Sequence, residues 1–67
     1  MDIRKTIGGN VRKYREELGL SQEELAFETE LHRTYISGVE RGVRNPTVRV
    51  IARIAEALKV KPGTLFE

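Results

Sequence analysis

The sequence contains no cysteine, no tryptophan and only one histidine, His32. A chain without cysteine has no disulfide scaffold and no thiolate metal site, and one histidine does not build a histidine-based metal centre. A nucleophile with a matching base and acid is also missing. We therefore expect no metal, no cofactor and no enzymatic activity.

The chain also lacks an apolar run of about 18 residues, the length that a membrane-spanning helix needs. Its N-terminus lacks the apolar block of a secretory signal. We therefore expect a cytoplasmic protein that does not associate with membranes. The 67 residues permit a single domain, residues 1–67, which buries only about 60% of its unfolded surface and has no room for a deep substrate cleft.

Charge is unevenly distributed along the chain, although the net charge is only +2. Four Glu and no basic residue lie between Gln22 and Glu30. From Arg33 to Arg53, five Arg accompany one acid, Glu40. The middle of the chain is thus acidic first and basic afterwards, and this distribution says more about partners than the net charge does.

Apolar residues near the N-terminus have the spacing of helices. One helix face is predicted from residues that recur every three or four positions and are followed by Gly19 as the C-cap, namely Ile3, Ile7, Val11, Tyr14 and Leu18. Ser21 and Glu24 have the spacing of a capping box and begin a second helix. This helix ends near Thr29 and turns Leu25 and Ala26 inward, while Phe27 is expected to be partly buried.

Stop signals predict three further helices. The third spans residues 33–41 and is stopped by Gly42. Asn45-Pro46-Thr47 begins a fourth helix that reaches about Leu58, and Pro62 begins a short fifth one. No segment alternates with the period of a strand. The expected fold is all-α, a compact five-helix domain.

The third helix has two different faces at about 100° per residue. Its polar face carries arginines, hydroxyls and a glycine, namely Arg33, Thr34, Ser37, Gly38 and Arg41. Arg donates two hydrogen bonds to a guanine edge or to phosphate, Thr meets a thymine methyl group, and Ser serves either partner. Glycine costs about 1 kcal/mol of helix propensity relative to Ala, which indicates a close approach at this face. An ordinary solvated face explains the same pattern equally well.

The spacing of the second and third helices favours binding over mere solvation. Only a few residues separate the two helices, so the turn between them is sharp. A helix pair of this kind, polar on the outer side of its second helix, is the helix-turn-helix arrangement whose second helix enters the DNA major groove. A generic helical hairpin, the alternative, requires no particular residues on its outer face.

The sequence resembles the helix-turn-helix pattern of phage-repressor-type regulators, the Cro-like or XRE family. The resemblance extends from about residue 7 to residue 66 and rests on Ser21-Gln22-Glu23-Glu24-Leu25-Ala26, Thr34-Tyr35-Ile36-Ser37, Glu40-Arg41-Gly42, Asn45-Pro46 and Ile54-Ala55-Glu56-Ala57-Leu58. Within the family, residues 31–42 look most similar to the small controller proteins of restriction-modification systems. The expected fold is therefore the phage-repressor type.

This resemblance implies that one set of residues binds DNA: Gln22, Arg33, Thr34, Tyr35, Ser37, Arg41, Arg44 and Asn45. Gln22 would hold a phosphate at the start of the second helix, and Arg33 and Thr34 would read base edges. Tyr35 and Ser37 would touch backbone or bases, and Arg44 would reach phosphate or base from the following loop. Many relatives carry a longer polar base reader at position 38, so Gly38 shifts the burden of specificity to Arg33, Thr34 and Arg44.

Two other features of the first helix are assigned to structure. Family members often pair an Arg and a Glu at the positions of Arg15 and Glu40, and we expect this ion pair to connect the first helix to the third. The alternative, a DNA-binding role for Arg15, is less favoured. Gly8-Gly9 lacks the Walker pattern and the preceding strand of a phosphate loop. We expect it to let another chain approach the first helix.

The fourth helix has an apolar arc of about 220°, roughly twice the width that one core-facing stripe needs. The surplus predicts a partner, because a domain this small gains stability from association. We expect a two-fold homodimer whose interface contains Val50, Ile54 and Ala57 of the fourth helix and Leu65 and Phe66 of the fifth. Its operator should be palindromic, with half-sites about 34 Å apart.

The sequence thus predicts a dimeric, sequence-specific regulator of transcription that binds double-stranded DNA, localises to the nucleoid through that binding, and has a possible contact with RNA polymerase. The alternative is an antitoxin that binds a toxin protein and autoregulates its operon. A segment beyond the fifth helix, which would wrap the toxin, does not occur in this sequence. We therefore expect the regulator.

Overall fold

A computed structural model describes residues 1–67 and contains only helices and loops. Four α-helices are followed by one 3₁₀-helix: α1 spans Ile3–Glu17, α2 Gln22–Thr29, α3 Arg33–Glu40, α4 Val48–Leu58, and the 3₁₀-helix Pro62–Phe66. The all-α prediction is confirmed. The expected fifth α-helix is instead a 3₁₀-helix, in which the Thr64 amide donates to the Lys61 carbonyl at 2.9 Å. Its five residues are too few to propagate an α-helix.

The α-helices begin and end within one residue of the positions that local signals predict. The C-cap of α1 is Leu18 rather than Gly19, which follows it in the left-handed conformation with φ 71°. The Asp2 carboxylate accepts the Arg4 amide at 3.0 Å and caps α1. The capping box of α2 is formed, since the Ser21 amide donates to Glu24 at 2.8 Å and the Glu24 amide donates to Ser21 at 3.0 Å. Thr47 caps α4. The third helix ends one residue earlier than expected, with Arg41 as its C-cap.

The core lies among the four α-helices and the 3₁₀-helix. α4 supplies the largest share, and the 3₁₀-helix closes one end of the core with a fully buried Leu65. The Asn10 side chain on α1 donates to the Leu65 carbonyl at 3.0 Å and so holds the 3₁₀-helix against α1. The buried apolar side chains are Ile7, Val11, Leu25, Ala26, Ile36, Val39, Ile51, Ile54, Ala55, Leu58 and Leu65.

α1 crosses α3 with almost no space between the two backbones. A β-carbon added at Gly8 would overlap the carbonyl oxygen of Val39 and lie 2.7 Å from that of Glu40. At Gly9 nothing lies within 4 Å of the same added atom. Gly8 therefore admits α3 of its own chain, rather than another chain, and this contact fixes where α3 lies.

The turn between α2 and α3 is sharp, as expected. Glu30 ends α2 in the left-handed conformation, with φ 58°, and the Leu31 amide donates back to the Ala26 carbonyl at 2.9 Å. The buried Thr29 hydroxyl donates to the Leu25 carbonyl at 2.8 Å. These bonds satisfy the end of α2 and set the direction in which α3 leaves it.

The side chain of Phe27 on α2 lies at the surface of the domain. It is 86% exposed, so the expectation that it is partly buried is wrong. Its neighbours Leu25 and Ala26 occupy the inward face instead.

No helix in the structure has both the length and the apolar character required to cross a membrane.

Candidate nucleic-acid interface

α3 is packed on one side and open on the other. Ile36 and Val39 are fully buried against the core, whereas Arg33, Thr34 and Arg41 are exposed to solvent. This division follows from the 100° rotation per residue, which places the two groups on opposite sides. The polar strip of α3 is therefore free to meet another molecule while its reverse holds the helix in place.

Ser37 and Arg41 are linked along this strip. Ser37 is half-buried, and the Arg41 guanidinium donates from Nε to its hydroxyl at 3.3 Å. Arg41 follows the last helical residue, where a cation also interacts favourably with the helix dipole. The exposed Arg41 side chain keeps its remaining donors free for an acceptor such as a phosphate oxygen.

The loop after α3 returns to the same strip. The Arg44 guanidinium carbon lies 5.7 Å from the centre of the Tyr35 ring, within cation–π distance. Tyr35 is half-buried and packs against the core, so its ring is a fixed platform. Asn45 is exposed in this loop, next to the buried Pro46. Arg44 thus joins the side chains of α3 although it lies outside the helix.

Gln22, the first residue of α2, is held by the third helix. Its side-chain nitrogen donates to Glu40 Oε1 at 3.1 Å. The first backbone amides of α2 have no acceptor within the helix, as at every helix N-terminus. The start of α2 therefore carries backbone amide donors beside a Gln22 side chain whose position is set by Glu40.

The Arg15–Glu40 ion pair is present and nearly inaccessible to solvent. Arg15 Nε lies 2.6 Å from Glu40 Oε2, and Nη2 donates to Oε1 at 3.0 Å. Arg15 Nη1 also donates to the Leu20 carbonyl at 2.7 Å. The hydrogen bond to Glu40 raises the pKa of Arg15, against the opposing effect of burial. Glu40 thus connects α1, the start of α2 and the end of α3 through one carboxylate.

Two of the five residues expected in a dimer interface lie inside the protomer. Ile54 and Leu65 are 1% and 0% exposed, because the 3₁₀-helix packs against α1 and α4 and turns Leu65 into the core that also contains Ile54. Val50 and Ala57 remain half-exposed, and Phe66 is 44% exposed. Of the five residues, Val50, Ala57 and Phe66 are therefore the ones that remain accessible at the surface of the protomer.

A shallow depression on α2 lies outside the candidate interface. It has a volume of about 290 Å³ and is lined by Leu20, Glu23, Glu24, Phe27 and Glu28. Three carboxylates at this site repel phosphate. The acidic and basic halves seen in the sequence therefore become an acidic outer surface on α2 and a basic strip on α3.

Two helices joined by a sharp turn, with the second exposed along a basic strip, define a helix-turn-helix module. Comparison with known proteins agrees, since residues 11–65 match the family described as Helix-turn-helix. The control protein C.BamHI of Bacillus amyloliquefaciens is 48% identical over 67 residues, which cover 98% of this chain and 83% of that protein.

Solved structures show the same fold. The restriction-modification controller protein C.AhdI from Aeromonas hydrophila superposes with a TM-score of 0.90 at 44% identity, over 94% of this chain and 96% of that one. SinR, a regulator known from Bacillus subtilis and crystallised in complex with DNA, superposes with a TM-score of 0.86 at 32% identity, over 91% of this chain and 98% of that one. The chain belongs to the helix-turn-helix family and is a regulator of the XRE type, similar to restriction-modification controller proteins.

Proposed function

We propose that the protein is a sequence-specific regulator of transcription that binds double-stranded DNA as a homodimer and has no catalytic activity. The single observation that supports this most strongly is the open polar strip of α3, whose reverse is fully buried. A helix anchored in this way presents its side chains at a fixed depth, as insertion into the major groove requires. A helix face with no binding role would not need arginines and hydroxyls at these positions.

The place of each side chain in the helix-turn-helix suggests its role. Arg33 and Thr34, in the first turn of α3, are placed to read base edges, and Ser37 and Tyr35 to touch bases or backbone. Residues at helix ends and in the loop are proposed to contact phosphates, and such contacts set the register of the protein on DNA. The phosphate-contacting residues are Gln22, Arg41 and Asn45, while Arg44 reaches either a phosphate or a base.

The homodimer is proposed to form through Val50, Ala57 and Phe66. These side chains form the part of the expected interface that folding leaves uncovered. A two-fold axis at this surface would place two copies of α3 on half-sites about 34 Å apart, so the operator would be palindromic. The names of the control proteins that the chain resembles support a role in a restriction-modification system. A regulator of this kind acts by occupying a promoter, and contact with RNA polymerase is part of the proposal.

The proposal is tested by selecting bound sequences from random DNA duplexes and measuring the stoichiometry on the selected sequence. We expect an inverted repeat of a short word that binds two chains. Selection of no sequence, or a single chain on a non-palindromic word, would contradict the proposal.

A substitution then assigns Arg33 to base recognition. Arg33→Ala should cost about 1–3 kcal/mol on the selected operator and much less on random DNA. Arg12→Ala is the matched control, because Arg12 is an exposed arginine on α1 that pairs only with Glu16. Equal losses on operator and random DNA would make Arg33 a phosphate contact instead.

A further inference from the structure

Gly38 lies in the middle of α3 and is buried although it has no side chain. What covers it is the side chain of Arg44. A β-carbon added at Gly38 would lie 2.6 Å from Arg44 Cγ, and 3.5 Å and 3.6 Å from its Nε and Cδ. The close approach that a helical glycine indicates is therefore made by an arginine of the same chain.

Two backbone hydrogen bonds hold the loop that carries Arg44 against α3. The amides of Val43 and Arg44 both donate to the Gly38 carbonyl, at 3.0 Å and 3.2 Å. This pair of bonds turns the chain back over α3 directly after Gly42, whose φ is 76°. The Arg44 side chain then extends across Gly38, and its guanidinium reaches the Tyr35 ring.

We propose that Gly38 is a positioning residue that acts through Arg44: because it has no side chain, it leaves space on α3 across which the Arg44 side chain lies. This proposal rests on the proposed function. It assigns to Gly38 a role in DNA recognition without any contact of its own. The guanidinium is ordered before DNA arrives, so less side-chain entropy is lost when it binds.

The geometry also predicts which substitution displaces the Arg44 side chain from α3. Arg44 Cγ is only two bonds from its backbone, so an added methyl group at position 38 forces the whole side chain into another rotamer. Because Arg44 is exposed, it can leave without disturbing the core, and Ala is the better helix former. Gly38→Ala should therefore fold normally with a displaced Arg44.

The first measurement is made without DNA. In the unsubstituted chain, nuclear Overhauser contacts should join the Arg44 side chain to the ring protons of Tyr35. Gly38→Ala should remove them. Gly9→Ala is the matched control, since Gly9 is a helical glycine with open space around it, and it should leave them unchanged. Contacts that persist in Gly38→Ala would overturn the proposal.

The second measurement is a double-mutant cycle on the selected operator. Gly38→Ala should weaken binding about tenfold, the usual effect of losing one arginine contact. Arg44→Ala should weaken it by a similar factor, and adding Gly38→Ala to Arg44→Ala should have no further effect. If the losses of affinity from Gly38→Ala and Arg44→Ala multiplied in the double variant, or if Gly38→Ala bound the operator normally, the positioning role of Gly38 would be overturned while the proposed function would stand. An unsubstituted chain that prefers no sequence would reject the proposed function and this role with it.

Discussion

Two adjacent glycines of α1 are predicted to respond in opposite directions to the same substitution. Gly8 faces the backbone of α3, where an added β-carbon would overlap the Val39 carbonyl oxygen and lie 2.7 Å from that of Glu40. Gly9 faces solvent, with nothing within 4 Å. Both are in the interior of one helix, so the change in helix propensity is the same at each.

The magnitudes follow from what surrounds each site. Ala gains about 1 kcal/mol of helix propensity over Gly, and Gly9→Ala should realise this gain in full. At Gly8 the obstructing atoms belong to the backbone and cannot rotate away, so α1 must separate from α3. Overpacking typically costs about 1–3 kcal/mol, and the upper end applies here because the obstructing atoms belong to the backbone. After the gain in helix propensity, the net effect of Gly8→Ala is a loss of about 2 kcal/mol.

Thermal unfolding followed by circular dichroism measures both effects. In a domain of this size about 1 kcal/mol moves Tm by roughly 4–8 °C. Gly9→Ala should raise Tm by roughly that amount, and Gly8→Ala should lower it by about twice as much. If both variants shifted Tm in the same direction, the close crossing of α1 and α3 would be refuted.

The ion pair and the first helix cap give two further predictions. Glu40→Gln leaves Arg15 nearly buried without its charge partner and should cost about 3–5 kcal/mol of the free energy of unfolding, measured by urea titration; normal stability with altered DNA preference would contradict the structural role. The hydrogen bond from Arg4 lowers the pKa of Asp2 below 3.8, so this cap stabilises α1 above about pH 3.8 and is lost as the pH falls further. The protection of the Arg4 amide against hydrogen exchange, relative to its intrinsic exchange rate at each pH, should therefore fall with acid, and Asp2→Asn should remove this change.

Sequence reasoning located the helices well because their signals are local. The caps at Ser21 and Thr47 and the left-handed Gly19 each concern residues within a few positions of one another. The two faces of α3 followed from its period alone. The type of the last helix could not be predicted from the sequence, because Pro62 fits the first turn of an α-helix and of a 3₁₀-helix equally well.

Contacts between distant segments were not accessible to the same reasoning. No sequence pattern predicts that Glu40 also accepts a hydrogen bond from Gln22, because that bond depends on how α2 and α3 are oriented. The apolar arc of α4 predicts a partner, and Ile54 and Leu65 are among the residues expected in the dimer interface. In the structure both side chains are buried in the core of one protomer. Gly38 predicts a close approach to α3, but only the fold of the following loop shows that the Arg44 side chain makes this approach.

The separation of the two sides of α3 has a consequence for how this domain changes over generations. Arg33 and Thr34 are exposed, and substitutions at such positions usually alter folding free energy by less than about 0.5 kcal/mol. Under the proposed function, single substitutions at Arg33 and Thr34 would therefore change the preferred DNA sequence and still leave a folded protein.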